Sequence, residues 1–279
     1  MTQKIVYQGE PGAYSHLACS QFYPEHEAVA CRSFANAFEA VRSRAAQLAM
    51  IPVENTVAGR VSDIYHLLPE GELHIVGERY LPVHHQLLAV PGGKLSDIKS
   101  ARSHHMALGQ VRNFLTEHNI DAIADVDTAG AARKIAANKD KSVAAVASRL
   151  SADTYGLEIL ASDIEDAAHN TTRFIILAEN PILPDVDVPS VSSFVFKVRS
   201  VPSALYKALG GFASNGLNLT KLESYMVGGS FTAAQFYADV EGHIDSPAMK
   251  NALEELTFFS ENITHLGTYP MDPMRLATV

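Results

Sequence analysis

Over the first two thirds of the chain, short runs of β-branched and apolar residues alternate with Ala-rich stretches of helical period. Residues 4–8 predict a strand and a helix follows from about Ser15; residues 122–126 precede a helix over 128–138, and 143–146 precede another over 148–154. This alternation predicts parallel sheets. At its carboxyl end each strand gives way to a Gly, Ser or Thr that opens a helix, the place where open α/β sheets hold their ligands. The long extended stretch over 74–90 suits a crossing between two such sheets, and so two lobes with a cleft between them.

The pattern breaks at Asn180-Pro181-Ile182-Leu183-Pro184-Asp185-Val186-Asp187-Val188-Pro189, where three prolines remove backbone donors and oppose helix continuation. A domain boundary is expected there, with 1–182 before it and 190–279 after. Downstream the order becomes strand, helix, strand, strand, helix, strand. Phe194, Phe196 and Val198 alternate with polar neighbours, and Leu205, Leu209 and Phe212 recur at helical spacing after Pro202. Strands over 217–225 and 231–240 flank Gly228-Gly229, a pair suited to the positive φ of a tight hairpin. A helix over 251–256 and a strand over 263–269 complete a split βαβ, ferredoxin-like module.

Composition narrows the function. The 279 residues are 47% hydrophobic and 19% charged, enough for one large core or two ordinary ones. A formal net charge of -9 disfavours nucleic acid, whose phosphates need a clustered Lys/Arg surface. Apolar runs are interrupted within a few positions, well short of the roughly 18 residues a membrane span requires. The two cysteines, Cys19 and Cys31, form no CxxC pattern, and no export signal opens the chain, so a disulfide-free cytoplasmic protein acting on a small molecule is expected.

Candidate chemistry lies at the strand ends. In Gly9-Glu10-Pro11-Gly12-Ala13-Tyr14-Ser15-His16 the amides and the Ser15 hydroxyl can hold an anion, although a Gly-rich turn with a Ser cap explains the segment as well. It lacks the GxGxxG spacing of dinucleotide sites. Ile51-Pro52-Val53-Glu54-Asn55-Thr56-Val57-Ala58-Gly59-Arg60 gathers a carboxylate and two short polar groups, which suits proton transfer or a capped helix start. Ser103-His104-His105 and Asp127-Thr128 each offer a hydroxyl and helix-end amides to a carboxylate, or simply cap a helix. The pairs His84-His85 and His104-His105 lack helical ligand spacing and Cys partners, which argues against a metal, and no GxSxG elbow occurs. Asn170-Thr171-Thr172-Arg173-Phe174 precedes a strongly apolar strand; a guanidinium there can pair with a carboxylate and a threonine can bond a hydroxyl, or the segment is only a strand start.

Taken in order, residues 9–18, 52–59, 103–110 and 170–174 resemble the motifs G-P-x-G-T-Y-S-H-x-A, P-x-E-N-S-x-x-G, S-H-P-Q-A-L-x-Q and N-x-T-R-F of the prephenate dehydratase family. The resemblance spans nearly the whole chain. It implies an α/β fold: a two-lobed catalytic part like a type II periplasmic binding protein, the lobes being about 1–78 with 157–182 and 79–156, then an ACT regulatory domain. It implies decarboxylating dehydration of prephenate to phenylpyruvate without a cofactor or metal. Thr172 is the family's catalytic residue; Arg173 is the expected carboxylate anchor and Glu54 the expected proton source. Ser15, Asn55, Thr56, Ser103, His104, Thr128, Asn170 and Phe174 are expected at the substrate.

The family's regulatory patterns, G-A-L and E-S-R-P, read here Ser203-Ala204-Leu205 and Glu223-Ser224-Tyr225-Met226, with Asn218 and Leu219 nearby. They imply L-phenylalanine binding in a homodimer or homotetramer. Ser203 and Tyr225-Met226 depart from the pattern and bear on the ligand. Arogenate is an alternative substrate, and a non-catalytic two-lobed carboxylate-binding protein an alternative class.

Overall fold

The computed structural model describes residues 2–70, 72–199, 201–226 and 234–276. In chain order its elements are β1 (Lys4–Gln8), α1 (Tyr14–Phe22), β2 (Glu27–Cys31), α2 (Phe34–Arg42), β3 (Leu48–Asn55), β4 (Gly59–Arg60), α3 (Ile64–Glu70) and β5 (His74–Pro82). Next come β6 (Gln86–Ala89), β7 (Ser100–His104), α4 (His105–Gln110), α5 (Arg112–Glu117), β8 (Asp121–Asp125), α6 (Thr128–Asn138), β9 (Val143–Ala147), α7 (Arg149–Tyr155), β10 (Glu158–Ala161) and β11 (Thr171–Ala178). The remainder is β12 (Ser190–Val198), α8 (Ala204–Ser214), β13 (Leu219–Met226), β14 (Ala234–Glu241), α9 (Pro247–Phe259), β15 (Ser260–Pro270) and α10 (Pro273–Leu276).

These elements form two compact units. The first holds the residues through Ala40, Ala45–Val61 and Tyr80–Phe174; the second holds Val41–Arg44, Ser62–Arg79 and the residues from Ile175 on. β5 and β11 contribute residues to both.

Residues 4–178 build two α/β sheets. One runs in the order β2-β1-β3-β11-β5 with β4 on β3, the other β10-β6-β9-β7-β8. β1 pairs in parallel with β2 and β3, as β7 does with β8 and β9, while β6 and β10 run antiparallel. This fits the expected two-lobed arrangement. Parallel strands covered on both faces read as continuous apolar runs, and Ile5-Val6-Tyr7 and Ala144 to Ala147 are accordingly buried. α6 follows the predicted bounds: Asp127 caps it through the Gly130 amide at 2.6 Å, Ala129, Ala131, Ala132 and Ile135 are buried, and Lys139 ends it in the left-handed region at φ 56°. Ser148 caps α7 in the same way.

The loop before α1 depends on Gly12, at φ +88°. Its carbonyl accepts from Ser148 Oγ at 2.5 Å and Ser151 Oγ at 2.9 Å, and a Cβ would meet the Ser151 Cα at 2.9 Å. Close approach, not turn shape alone, requires the glycine.

In the second unit β12-α8-β13-β14-α9-β15 fold into an antiparallel sheet ordered β13-β14-β12-β15, with α8 and α9 packed together. Phe194, Phe196, Ala208, Phe212, Met249, Ala252 and Leu256 form the core. α9 is longer than the predicted 251–256, because Ser246 caps the Met249 amide and Pro247 occupies the first turn, where its missing N–H costs nothing. The expected Gly228-Gly229 hairpin lies outside the described residues. No described helix is long and apolar enough to cross a membrane.

β5 joins this unit through a buried charge. Glu78, fully buried, accepts from Arg275 Nε and Nη2, both at 2.8 Å, and from the Asp272 amide at 3.2 Å. A bidentate guanidinium compensates a desolvated carboxylate well, and removing it leaves the charge poorly matched. Arg275→Leu is expected to lower stability by about 3 kcal/mol, read as a several-degree fall in Tm; an unchanged Tm would show that the pair contributes nothing net.

Candidate active site

The loops at the carboxyl ends of β1, β2, β3, β7 and β8 enclose an open cavity of about 860 Å³ in the first unit. Ser15, Arg32, Pro52, His104, Asp127 and Thr128 are among its walls. The first turns of α1 and α6 both meet it. The opening amides of a helix lack intrahelical acceptors and carry the positive end of the macrodipole, so the first turn of α1 with Arg32 suits an anionic ligand, while the lining carboxylates are engaged elsewhere, Glu10 with Arg133 at 3.5 Å and Asp127 on the Gly130 amide of α6. Ala13, not Ser15, is the N-cap of α1. Ser15 therefore sits within the first turn, nearly buried, and its hydroxyl has no protein partner among the described residues. His104 caps α4, with Nδ1 3.4 Å from the Met106 amide; burial, aided by neighbouring His105, pushes its pKa down.

A second group assembles where β3 meets β11. Asn55 Oδ1 accepts from the amides of Val57 at 2.9 Å and Ala58 at 2.7 Å. Its Nδ2 donates to Asn170 Oδ1 at 2.8 Å and to Thr172 Oγ1 at 3.0 Å. Thr172 thus accepts inside the protein and, among the described residues, donates to nothing. Thr56 stitches the same junction: its hydroxyl donates to the His169 carbonyl at 2.5 Å and accepts from the Thr171 amide at 2.9 Å.

Side chains alternate across a strand, and this separates the expected catalytic set. Asn55, Asn170 and Thr172 meet on one side. Glu54 and Arg173 leave on the other, where Arg173, only 2% exposed, places Nη1 3.1 Å from Glu54 Oε1. The expected roles, Arg173 on a substrate carboxylate and Glu54 as proton source, would require this pair to open. Ser103 is fully buried with its hydroxyl donating to the Val146 carbonyl at 2.6 Å, and Phe174 lies in the core. Neither lines the cavity.

Sequence reasoning did not single out Tyr14, Arg32 or Gln110, and weighed His85 only as half of a metal pair with His84. Tyr14 lines the cavity and places its hydroxyl 2.7 Å from His85 Nδ1 and 3.1 Å from the His84 carbonyl. His85 Nε2 lies 2.7 Å from Gln110 Oε1, which also accepts from Asn170 Nδ2 at 3.1 Å. Tyr14 and Gln110 fall inside the matched motifs, so position was the available signal. For His85 the local signal was the pairing with His84, which says nothing of Tyr14 or Gln110.

His84 faces away from His85. With Asp163 and Glu165 it forms the described residues' one grouping of metal-ligand type, within 4.8 Å of one another. Each already has a partner: Glu165 bonds His84 Nδ1 at 2.7 Å and the His85 amide at 2.9 Å, and Asp163 accepts from Gln86 at 3.0 Å.

In the regulatory segment Ser203 sits at φ 63° before α8, a conformation in which glycine is the unstrained residue. Ser203, Ala204 and Leu205 border a cavity of about 520 Å³ with Arg199, Val201, Pro202 and Tyr206. On and before β13, Asn218 bonds Glu241 at 3.0 Å and Glu223 bonds Lys221 at 3.3 Å. Leu219 and Ser224 lie on that strand opposite Val240 and Phe236.

Residues 5–182 match the family model described as prephenate dehydratase. The chain is 48% identical to a "Bifunctional N-acyl-homoserine lactone acylase/prephenate dehydratase" of Komagataeibacter europaeus over 97% of both chains. It is 41% identical to "Arogenate dehydratase/prephenate dehydratase 1, chloroplastic" of Arabidopsis thaliana over 98% of this chain and 73% of that one. Among solved structures, a prephenate dehydratase from Arthrobacter aurescens in complex with L-Phe is similar at TM-score 0.89 and 31% identity, over 96% of this chain and 90% of that one.

The two sides of β11 should respond differently to truncation. Arg173→Leu removes a buried guanidinium whose partner Glu54 is about one third exposed and so partly rehydrated, and is expected to cost about 1–3 kcal/mol. Thr172→Ala removes one accepted hydrogen bond and should cost about 1 kcal/mol or less. Urea unfolding of both variants checks the contrast, and equal losses would contradict it.

Proposed function

We propose, on the premise that this chain belongs to the prephenate dehydratase family and is a dehydratase of the carbon–oxygen lyase class, that it converts prephenate to phenylpyruvate, water and carbon dioxide. In that reaction the bond from the ring to its carboxylate breaks to release carbon dioxide. The electron pair enters the ring and expels the 4-hydroxyl, which takes up a proton and leaves as water. Aromatisation drives the step, so positioning and polarisation are what the protein must supply.

The donor polarity at Thr172 carries this reading. Because Asn55 donates to Thr172 Oγ1, the threonine keeps its own O–H for a ligand acceptor. We assign it to the departing hydroxyl as a hydrogen-bond donor. An aliphatic hydroxyl is a poor proton source near neutrality, so it polarises and does not ionise. The side-chain carboxylate is assigned to the helix-terminal amides, the Ser15 hydroxyl, Arg32, His104 and Thr128 around the cavity, which leaves the reacting carboxylate in less polar surroundings. Asn55 and Asn170 hold Thr172; Arg173 and Glu54 support the strand from its other side.

Residues 1–182 are proposed as the catalytic domain and 190–279 as an ACT regulatory domain. The strand order β13-β14-β12-β15 with two helices is compatible with the latter. Support for phenylalanine as its ligand comes from the L-Phe complex of the Arthrobacter aurescens enzyme and from the cavity at Ser203-Ala204-Leu205. A homodimer or homotetramer working in the cytoplasm is the corresponding assembly. A second reading rests on the Komagataeibacter europaeus relative, whose name pairs prephenate dehydratase with N-acyl-homoserine lactone acylase.

Incubation with prephenate, followed by phenylpyruvate absorbance, tests the main reading; no product would end it. Thr172→Ala should reduce kcat by at least about 100-fold with KM changed less than about threefold, and Thr172→Ser should retain most turnover. An effect on KM alone would make Thr172 a binding residue. Turnover should fall as L-phenylalanine is titrated, and a flat titration would remove the regulatory assignment. Hydrolysis of an N-acyl-homoserine lactone that survives Thr172→Ala would establish the second activity as separate.

A further inference from the structure

The polarity of six side chains can be followed without ambiguity from one turn. The amides of Val57 and Ala58 can only donate, so the Asn55 atom facing them is its oxygen, and its nitrogen faces Asn170 and Thr172. Asn170 must accept from that nitrogen, so its own Nδ2 points at Gln110. Gln110 must accept from Asn170, so the same oxygen faces His85 Nε2, 2.7 Å away. An oxygen acceptor there requires the Nε2–H form of His85. Its Nδ1 is then bare when the ring is neutral, and the single Tyr14 hydroxyl hydrogen goes to it at 2.7 Å in preference to the His84 carbonyl at 3.1 Å.

The surroundings keep this order in place. His85 and Asn170 are 2% and 3% exposed, so an amide or ring turned the wrong way has no water to compensate it. Burial holds the imidazole toward its neutral form, and burial together with the Glu165 charge keeps the Tyr14 phenol protonated. Backbone contacts fix the two ends of the middle section: the Asp166 amide bonds the Gln110 carbonyl at 2.7 Å, and the Val83 amide bonds the Asn170 carbonyl at 2.8 Å.

We propose that Gln110 and His85 are positioning residues for the dehydration, acting through Asn170 and Asn55 to keep the Thr172 hydroxyl hydrogen aimed away from the protein. Neither touches the reacting atoms. Their contribution is to complete the chain: Asn55 orients the Asn170 amide, and the Gln110 oxygen, held by His85, satisfies the buried Nδ2 turned toward it. Without that acceptor the Asn170 Nδ2, 3% exposed, is left unsatisfied, and the side chain shifts from Asn55, loosening the residue that holds Thr172. This rests on the assignment of Thr172 made above.

Gln110→Met keeps the length of the side chain and removes the acceptor, while Gln110→Glu keeps an acceptor oxygen toward both neighbours. Expected are a 10-fold or greater fall in kcat for Gln110→Met with KM within threefold, and recovery to within about fivefold of the native kcat in Gln110→Glu. The spectroscopic signature is the His85 tautomer, read from ¹⁵N couplings in histidine-labelled protein at pH 8 and assigned by its loss in His85→Gln. Nε2–H is expected in the native chain. Asn170→Asp places two acceptors face to face, so Gln110 should turn its nitrogen toward residue 170 and its other N–H toward His85. The tautomer is then expected to switch to Nδ1–H, with Tyr14 accepting and donating in turn to the His84 carbonyl.

A merely structural role would not move a tautomer at a residue that position 170 does not touch. An Nδ1–H form in the native chain, an unchanged tautomer in Asn170→Asp, or a native kcat in Gln110→Met would overturn the proposal. If Thr172→Ala itself keeps native kcat, the underlying assignment fails; loss in Thr172→Ala with none in Gln110→Met sinks the positioning role alone.

Discussion

Two backbone amides on one carboxamide oxygen set the character of this protein's candidate site. Val57 and Ala58 turn their N–H groups onto Asn55 Oδ1 in the bend between β3 and β4, and an asparagine so held has no second orientation available. The choice propagates because every following partner is an amide, an imidazole or a hydroxyl, groups that can invert but here are denied the option by the one before. The fold contributes by bringing the carboxyl end of β3, the start of β11 and the end of α4 together with little solvent among them. In such surroundings a mismatched pair costs more than a correct pair gains, so a chain of modest bonds acquires a single direction.

Much of the scaffold was legible in the chain. β1 and α6 follow the predicted bounds, since a strand buried on both faces and an Asp-capped, Ala-rich helix each announce themselves locally. β8 ends one residue before the apolar run suggests, because Val126 is released to the cavity rim, 82% exposed, with its amide on Asp125. What the sequence could not disclose was the sidedness of the site. Thr172 and Arg173 are neighbours in the motif and so invite a joint role; strand alternation sends them to opposite faces. Ser103 looks like a ligand hydroxyl at a strand end, yet the sheet consumes it on Val146. His85 became visible only once Tyr14, 71 positions away, was seen beside it.

The C-terminal module shows a related limit. Its order of strands and helices is readable from periodicity, whereas its connection to β5 is not, because Glu78 and Arg275 are almost 200 positions apart and neither stands in a motif. Ser203 is different. The departure from glycine was plain in the sequence, and the structure supplies the cost in its left-handed backbone.

An anion approaching this chain meets two opposed fields. The formal net charge of -9 repels it at a distance, while the attraction exerted by the first turn of α1 and by Arg32 is confined to the cavity. Mobile ions act over about 8–10 Å at ordinary ionic strength and so cancel the distant repulsion before they weaken contacts inside the walls. A doubly charged ligand is therefore held by contacts inside the cavity walls and gains nothing from long-range steering by the chain as a whole.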